Sequence, residues 1–257
     1  WLFFITFTPS DFKNKKSEFR KLLEKNGINF FKGIQQAGRT DKDVSAKENL
    51  LYINSKHYIE FEKLGYKEID GLEILKIEKT LPFLEFPELI AKRHYIYEYP
   101  EKLIKNTVEK INLNCMELSG KKDFKKFTSK KGEKLKNHVR EIEVEYREGK
   151  LYFTGDGFLP QQVRIMSNFI LNGNMKPLPG EYLTLVKVDF SDELEKMILK
   201  SENFEEVIED VEKIEKNDYF YIFYVNKGNK GRLIGKKGKN IKNLKKLYGN
   251  IVVKEKK

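Results

Sequence analysis

The residues of this sequence best suited to chemistry lie in a short polar segment, residues 36–46, which reads QAGRTDKDVSA. Small, basic and acidic residues follow one another there in an order that packing against a hydrophobic core does not require. We therefore interpret the segment as a functional loop with Asp41 as its reactive group, because an ionised carboxylate can act as a nucleophile. The alternative is that Asp41 only caps a loop.

Two later segments could supply partners for this carboxylate. Residues 92–97 read KRHYIY and place Tyr95 in a predicted strand, where its ring offers a flat apolar face and a hydroxyl. Residues 158–164 read FLPQQVR and place Phe158 and Arg164 around the start of a predicted helix. A guanidinium beside a carboxylate favours the charged form of that carboxylate. An isolated Asp–Arg pair is more often structural than catalytic, so that alternative stays open for the pair alone.

Together, these segments resemble the TruA family of tRNA pseudouridine synthases. Residues 36–46 resemble the family pattern A-G-R-T-D-x-G-V-x-A and depart from it at Asp43, where glycine is usual. Residues 92–97 are similar to its R-x-Y-x-Y strand, and residues 158–164 are similar to its F-(L/V)-x-x-x-V-R segment. The resemblance covers residues 1–190, and the family's aromatic-glycine-glutamine segment after the first strand is missing from this sequence.

The resemblance implies an RNA pseudouridine synthase whose catalytic nucleophile is Asp41. Arg164 would pair with this carboxylate, and Tyr95 would stack against the target base. Arg39 could occupy the space left by the extruded nucleotide, because chemistry on a base inside a helix requires flipping. The substrate-binding residues assigned on the same grounds are Arg39, Thr40 and Phe158. The family also implies tRNA as the partner, a homodimer, and a target on the 3′ side of the anticodon stem-loop.

The reaction itself accounts for these residue types. Pseudouridine formation breaks the N-glycosidic bond of uridine, rotates the uracil and rejoins it to the ribose through C5. A carboxylate could attack the ribose C1′ or the uracil ring, or take the ribose 2′ proton, and Asp41 is the candidate. The reaction needs no redox change and no external group, so we expect no cofactor and no metal.

Charge is concentrated near the end of the chain. The formal net charge is +11, and residues 227–257 alone hold twelve Lys and Arg against one acid, Glu255. Residues 121–140 form a second basic stretch, and residues 192–218 form an acidic one. Charge separated in this way indicates a polyanionic partner that binds at particular surfaces, although any single lysine-rich stretch could be only a solvated surface.

Residues 218–257 are interpreted as an RNA-binding module. A strand, a short helix, the loop Gly-Lys-Lys-Gly at 235–238, a helix over 239–248 and a final strand resemble the core of a KH domain. The glycines let an RNA backbone approach this loop closely. A phosphate-binding P-loop is excluded because lysine stands where its pattern needs glycine and Ser or Thr. The candidate RNA-binding residues are Gly235, Lys236, Lys237, Gly238, Lys239 and Lys242.

The order of predicted strands and helices indicates an α+β fold. We expect two ferredoxin-like antiparallel-sheet halves that form a pseudouridine synthase fold, followed by a small C-terminal KH-like domain. A hairpin is predicted over 139–147 and 150–155, and a helix is predicted over 160–172. The expected divisions are the N-terminal half of the catalytic domain at 1–100, its C-terminal half at 101–190, an acidic helical connector at 191–217, and the KH-like module at 218–257.

Composition sets limits on location and class. The one cysteine, Cys115, excludes an intrachain disulfide and a cysteine-based metal site. No apolar run approaches the roughly 20 residues that span a bilayer, and the first residues lack signal-peptide features, so we expect no membrane partner and a cytoplasmic location. Two other functions stay open: a non-catalytic RNA-binding protein on a degenerate synthase scaffold, and a KH adaptor associated with ribosomes or transcription.

Overall fold

The computed structural model describes residues 1–8, 15–41, 43–56, 58–198, 210–216 and 220–256, without the side chains of residues 246 and 247. Over these residues the chain forms two separate β-sheets with helices, and each sheet has its own hydrophobic core. The fold is therefore mixed α/β, with one large sheet that precedes a small one along the chain.

The first part of the large sheet is built around an apolar, aromatic strand. In chain order its elements are β1 (Leu2–Phe7), α1 (Lys15–Lys25), β2 (Phe31–Gln36), β3 (Ser45–Asn54), β4 (Glu68–Ile69) and β5 (Leu72–Glu78). β1 pairs antiparallel with β3 on one side and with β5 on the other. The apolar face of α1 buries Phe19, Leu22 and Leu23, and the Phe19 ring lies 5.0 Å from that of Phe3. Residues three and four apart share one face of a helix, so these side chains face the sheet together and hold α1 against it.

The second part of the large sheet contains the predicted hairpin. In chain order its elements are β6 (Ile90–Tyr97), α2 (Val108–Leu118), β7 (Gly120–Asp123), β8 (Val139–Arg147), β9 (Lys150–Gly155), α3 (Gln162–Asn172) and β10 (Leu183–Phe190). β8 and β9 have the bounds expected from the sequence and turn through Glu148 and Gly149, both with positive φ. That prediction is confirmed, because strict alternation and a Glu-Gly turn are strong local signals.

The two parts join into one sheet. The strand order is β4-β5-β1-β3-β10-β6-β9-β8-β7, and β2 also pairs with β3. The joint is the short parallel pairing of β3 with β10, where Ser45 lies opposite Thr184 and Ala46 opposite Leu185. The residues just before β3 are those of the polar segment 36–46, so this joint brings that segment beside the second part of the sheet.

Helix α3 begins two residues later than predicted. Pro160 lies in a loop instead, where its carbonyl accepts hydrogen bonds from the Thr128 hydroxyl at 2.9 Å and the Ser129 N–H at 3.1 Å. Gln161 then adopts a left-handed conformation with φ of 62°, and the helix starts at Gln162. The tertiary hydrogen bonds to Pro160 override its preference for a first helical turn.

The residues after the large sheet are only partly helical, so the prediction of an acidic helical connector over 191–217 is wrong in part. A short helix, α4 (Asp192–Met197), is followed after the undescribed residues 199–209 by a strand, β11 (Val211–Lys216). Val211 is buried in the core of the small sheet and Ile214 packs against it. The apolar residues Val211 and Ile214 are three apart, a spacing that does not predict a strand, and pairing with the next strand decides the structure.

The small sheet carries the module predicted at the C-terminal end. Its remaining elements are β12 (Tyr221–Val225), α5 (Lys230–Ile234), α6 (Lys239–Tyr248) and β13 (Ile251–Glu255). β12 lies in the centre, antiparallel to β11 and parallel to β13. Phe223, Leu233 and Leu244 bring the sheet and both helices into one buried cluster.

Candidate active site

The structure brings Asp41 and Arg164 together. Arg164 Nη1 donates a hydrogen bond of 2.7 Å to Asp41 Oδ2, and the two residues are 123 positions apart in the chain. Asp41 lies in the loop before β3, whereas Arg164 lies in the first turn of α3. The Arg164 side chain is 17% exposed and that of Asp41 is 40% exposed, so the carboxylate is partly open to solvent while its partner is mostly buried. This arrangement was expected from the sequence.

Arg164 is held in place by the loop that leads from α3 into β10. Its Nε donates a hydrogen bond of 2.5 Å to the Leu178 carbonyl, and the Leu178 N–H donates back to the Arg164 carbonyl at 3.2 Å. The Tyr97 hydroxyl donates to the next carbonyl, that of Pro179, at 2.8 Å. A Cβ atom on Gly180 would come within 3.3 Å of the Val44 side chain. The loop thus contacts both Arg164 and the segment that carries Asp41.

Lys15, at the start of α1, supports the other side of the Asp41 loop. Its Nζ donates hydrogen bonds to the Asp41 carbonyl at 2.6 Å and to the Val44 carbonyl at 3.3 Å. Burial lowers the pKa of Lys15 to about 8, and the negative charges of Asp41 and Asp43 oppose that shift. The role of Lys15 could not be predicted from the sequence, because nothing in a lysine-rich helix start marks one lysine as buried.

Asn49 fixes the beginning of the same loop. Its side chain accepts a hydrogen bond from the Gly38 N–H at 3.2 Å and donates one to the Gly38 carbonyl at 2.9 Å. Asn49 is fully buried, and a Cβ atom at Gly38 would lie 3.0 Å from Leu185 Cδ2, so a larger residue there would require Leu185 to shift. A single asparagine at the head of the apolar run of β3 was the signal that could have identified it.

Arg93 makes a third attachment to this loop. Its Nε donates to the Ala37 carbonyl at 2.9 Å, and its Nη1 donates to the Asp156 carbonyl at 2.6 Å. Burial lowers the pKa of Arg93, while Tyr95 and Asp156 raise it. Arg93 therefore connects the loop to the end of β9, close to the segment that contains Phe158.

Tyr95 differs from the expectation of an open stacking face. It is only 6% exposed, and its ring packs edge-on against Phe158 with the centroids 5.2 Å apart. Its hydroxyl lies 3.6 Å from the position a Cβ atom would take on Gly38. Burial raises the pKa of Tyr95 to about 12, Arg93 lowers it, and the charge of Asp41 raises it. Tyr95 lies on the side of β6 that faces the core, and the sequence alone did not indicate this.

The remaining candidate substrate residues flank the carboxylate. Arg39 is exposed, and Thr40 is partly buried. Among the described residues the buried hydroxyl of Thr40 has no hydrogen-bond partner. A buried hydroxyl without a partner is costly unless a ligand or water satisfies it. The site therefore offers a held carboxylate, a guanidinium, an aromatic wall and a free hydroxyl.

The Gly-Lys-Lys-Gly loop, residues 235–238, has the conformation that its glycines allow. Gly235 has φ of 73°, and a Cβ atom on it would lie 2.6 Å from the Asn240 side chain. Gly238 also has positive φ, at 72°. The lysines predicted to bind RNA are all exposed: Lys236, Lys237, Lys239 and Lys242.

Two features are absent from the described residues. No group of three or more His, Cys, Asp or Glu side chains among them could hold a metal ion. None of their helices is long and apolar enough to cross a membrane.

Comparison with known proteins identifies the family. Residues 115–190 match the family model described as tRNA pseudouridine synthase, and residues 193–257 match the KH domain model. A tRNA pseudouridine synthase A from Streptococcus equi subsp. equi (strain 4047) is 30% identical over 207 residues, which cover 69% of this chain and 81% of that protein.

Two further relatives support the same assignment. A tRNA pseudouridine synthase A from Nanoarchaeum equitans (strain Kin4-M) is 31% identical, over 58% of this chain and 76% of its own length. A tRNA pseudouridine synthase A 1 from Bacillus thuringiensis subsp. konkukian (strain 97-27) is 30% identical, over 61% of this chain and 72% of its own length. Since these likenesses extend over more than two thirds of each relative, this chain belongs to the tRNA pseudouridine synthase A family.

Proposed function

We propose that this protein isomerises uridine to pseudouridine in tRNA, with Asp41 as the catalytic nucleophile. The observation that carries the proposal is the hydrogen bond of 2.7 Å between Asp41 and Arg164, made across the joint of the sheet. A half-exposed carboxylate held by a mostly buried guanidinium is suited to attack, because its position is set before the substrate arrives. The names of the relatives supply tRNA as the substrate.

The reaction balances without an added reactant. Asp41 attacks the uridine, or takes the ribose 2′ proton, and the bond between ribose C1′ and uracil N1 breaks. The uracil turns, a bond forms between C1′ and C5, the C5 proton leaves to solvent, and N1 gains a proton. Arg164 orients the carboxylate throughout and balances its charge. In the first route the bond to Asp41 breaks at the end, and in the second Asp41 returns the proton to C2′, so the enzyme is regenerated either way.

The other residues around Asp41 would hold the flipped nucleotide. Phe158 and Tyr95 form an aromatic wall, and a base could reach the Tyr95 ring if Phe158 moved aside. The unpartnered hydroxyl of Thr40 is placed to bind a polar group of the nucleotide. Arg39 is exposed beside them and would fill the space that the base leaves in the RNA.

We further propose that each half of the large sheet is ferredoxin-like. The order β10-β6-β9-β8, with α2 after β6 and α3 after β9, supports this for the second half, because it has the arrangement of a split βαβ motif. Strand pairing assigns β6 to that half, which as a structural unit therefore begins at Ile90 rather than at the proposed division after residue 100.

The assembly and setting follow from the family resemblance. We propose a cytoplasmic homodimer that modifies the 3′ side of the anticodon stem-loop. Residues 218–257 would add a grip on single-stranded RNA, and the exposed lysines of the Gly-Lys-Lys-Gly loop support this role. β11 completes the sheet of that module, so its structural unit begins earlier than residue 218.

Release of tritium tests the catalytic proposal. Transcribed tRNA tritiated at uridine C5 is incubated with the wild-type protein, with Asp41→Asn, and with Asp43→Asn as a matched loss of charge in the same loop. We expect release by the wild type and by D43N, and none by D41N. Equal background release from all three proteins would reject catalysis and favour a non-catalytic RNA-binding protein on a synthase scaffold.

A further inference from the structure

A cleft of about 540 Å³ lies between the large sheet and the C-terminal module. The residues that line it are Phe31, Lys32, Lys56, Phe83 and Lys245. Four of them belong to the first part of the large sheet and its loops, whereas Lys245 belongs to α6. Its volume lies in the range of ligand-binding clefts, and neither Asp41 nor Arg164 lines it. The cleft is therefore distinct from the candidate active site.

The walls combine aromatic rings with positive charge. Phe31 is 37% exposed, and its ring centroid lies 5.8 Å from that of Phe83 at a tilt of 47°. The Lys32 ammonium lies 4.2 Å from the centre of the Phe83 ring. Aromatic faces stack with unpaired bases and lysines attract phosphates, which is the combination that single-stranded nucleic acid requires. The lining residues include no acid that would oppose such a ligand.

The loop that carries the Phe83 ring is held in a fixed conformation. Phe83 has a φ of 61°, which is unusual for a bulky residue and costs free energy. Its N–H donates to the buried Asn54 side chain at 2.8 Å. The buried Tyr52 hydroxyl accepts from the Leu84 N–H at 3.3 Å and donates to the Leu81 carbonyl at 3.2 Å. The loop is thus held in a strained shape that places the ring at the cleft, and a preordered ring loses less entropy on binding.

Lysines on α6 connect this cleft with the Gly-Lys-Lys-Gly loop. Lys239, Lys242 and Lys245 are exposed and three residues apart, so they share one side of the helix. From Lys239 to Lys245 the helix rises by about 9 Å. A row of positive charge therefore runs from the loop along the helix to the two rings.

We propose that this cleft binds an unpaired stretch of RNA strand. A base stacks on Phe31 and Phe83, and the phosphates contact the three lysines of the cleft. The strand that leaves the Gly-Lys-Lys-Gly loop follows α6 and is bound again by the body of the enzyme. This site goes beyond the proposed function, because it binds RNA whether or not the protein is a catalyst.

Binding of a labelled single-stranded RNA of about ten nucleotides to the full chain tests the proposal by fluorescence anisotropy. The variants are Phe31→Leu, which keeps an apolar side chain without the ring, and Lys245→Gln on the exposed side of α6. Lys110→Gln, exposed on α2, is the matched control for loss of one charge. A duplex RNA of the same length is measured in parallel, and circular dichroism checks that each variant is folded.

We expect F31L to weaken single-strand binding about fivefold or more, with duplex binding unchanged. K245Q should lower the slope of log affinity against log salt by about 0.7, and K110Q should leave it unchanged. Wild-type affinity in folded F31L and K245Q would overturn the proposal. Tritium release measured on the same proteins separates the two ideas: no release by the wild type rejects catalysis, while the loss of strand binding in F31L still supports the cleft.

Discussion

Two loops of this protein are built in opposite ways. The loop of residues 36–46 is attached by directional hydrogen bonds from Lys15, Asn49, Arg93 and Arg164, which lie on four different elements. The Gly-Lys-Lys-Gly loop instead exposes its lysines and depends on glycine backbone geometry. The first loop is organised to set the position of one carboxylate, and the second is organised to present charge. Substitutions that affect the first loop should therefore lower activity strongly, and this loss should not depend on salt concentration. Substitutions in the second loop should weaken RNA binding modestly, and this effect should depend on salt concentration.

Arg164→Lys should cause the largest effect. A lysine keeps the positive charge but cannot contact Asp41 and the Leu178 carbonyl together, because it lacks the planar fork of arginine. We expect kcat for tRNA to fall about 10²-fold, since a small misplacement of a catalytic group can cost that much. Steady-state kinetics at saturating tRNA measure kcat, and anisotropy measures tRNA affinity, which should not change. Arg147→Lys, at an exposed arginine of β8, is the control, and an equal loss in both variants would reject a specific role.

Asn49→Ala should destabilise the fold as well as the site. It removes both partners of the buried Gly38 peptide groups, and each unsatisfied buried group costs about 1–3 kcal/mol. Urea unfolding should show a fall of about 2 kcal/mol in the free energy of unfolding, and kcat should drop because the Asp41 loop loosens. Asn174→Ala, at an exposed asparagine, should change neither value. A fully stable and active N49A would show that the loop does not depend on this attachment.

Lys15→Met should change the dependence of stability on pH. The pKa of Lys15 is lowered from 10.5 to about 8 in the folded protein. Between those pH values the unfolded chain binds more protons at this residue than the folded one, so the free energy of unfolding rises with pH through the window. The difference between wild type and K15M, measured by urea unfolding from pH 7 to 10.5, should grow in favour of the wild type. Parallel curves would contradict the buried position of this ammonium.

Lys236→Gln with Lys237→Gln should have the smallest effect on chemistry. Removing two phosphate contacts should weaken tRNA binding at low salt and lower the slope of log affinity against log salt by about 1.5. The kcat at saturating tRNA should stay at the wild-type value. The double variant Lys102→Gln with Lys105→Gln removes the same charge elsewhere and should leave the slope unchanged. Loss of turnover at saturation would show that the Gly-Lys-Lys-Gly loop contributes to the active site itself.

Much of this protein is determined locally in the sequence. The hairpin of β8 and β9 follows from alternation and its turn, and α6 follows from its apolar spacing, so both could be predicted with their bounds. The motif around Asp41 and the later motif that contains Arg164 were both identified in the sequence. The contact between Asp41 and Arg164 was therefore expected. These features could be predicted because each depends on residue types and spacing rather than on residues distant in the chain.

Only the tertiary structure decided which residues hold the Asp41 loop in place. Lys15 and Asn49 contact the Asp41 loop only because α1 and β3 pack beside it, and the residues next to Lys15 do not distinguish it from the other lysines of its helix. The burial of Tyr95 depends on Phe158, 63 positions later, and the strand character of β11 depends on pairing with β12. The parallel joint of β3 with β10 is likewise a contact between distant strands. The sequence determined which groups could do chemistry, whereas long-range pairing and burial determined their environment, since those forces act between residues that no local pattern connects.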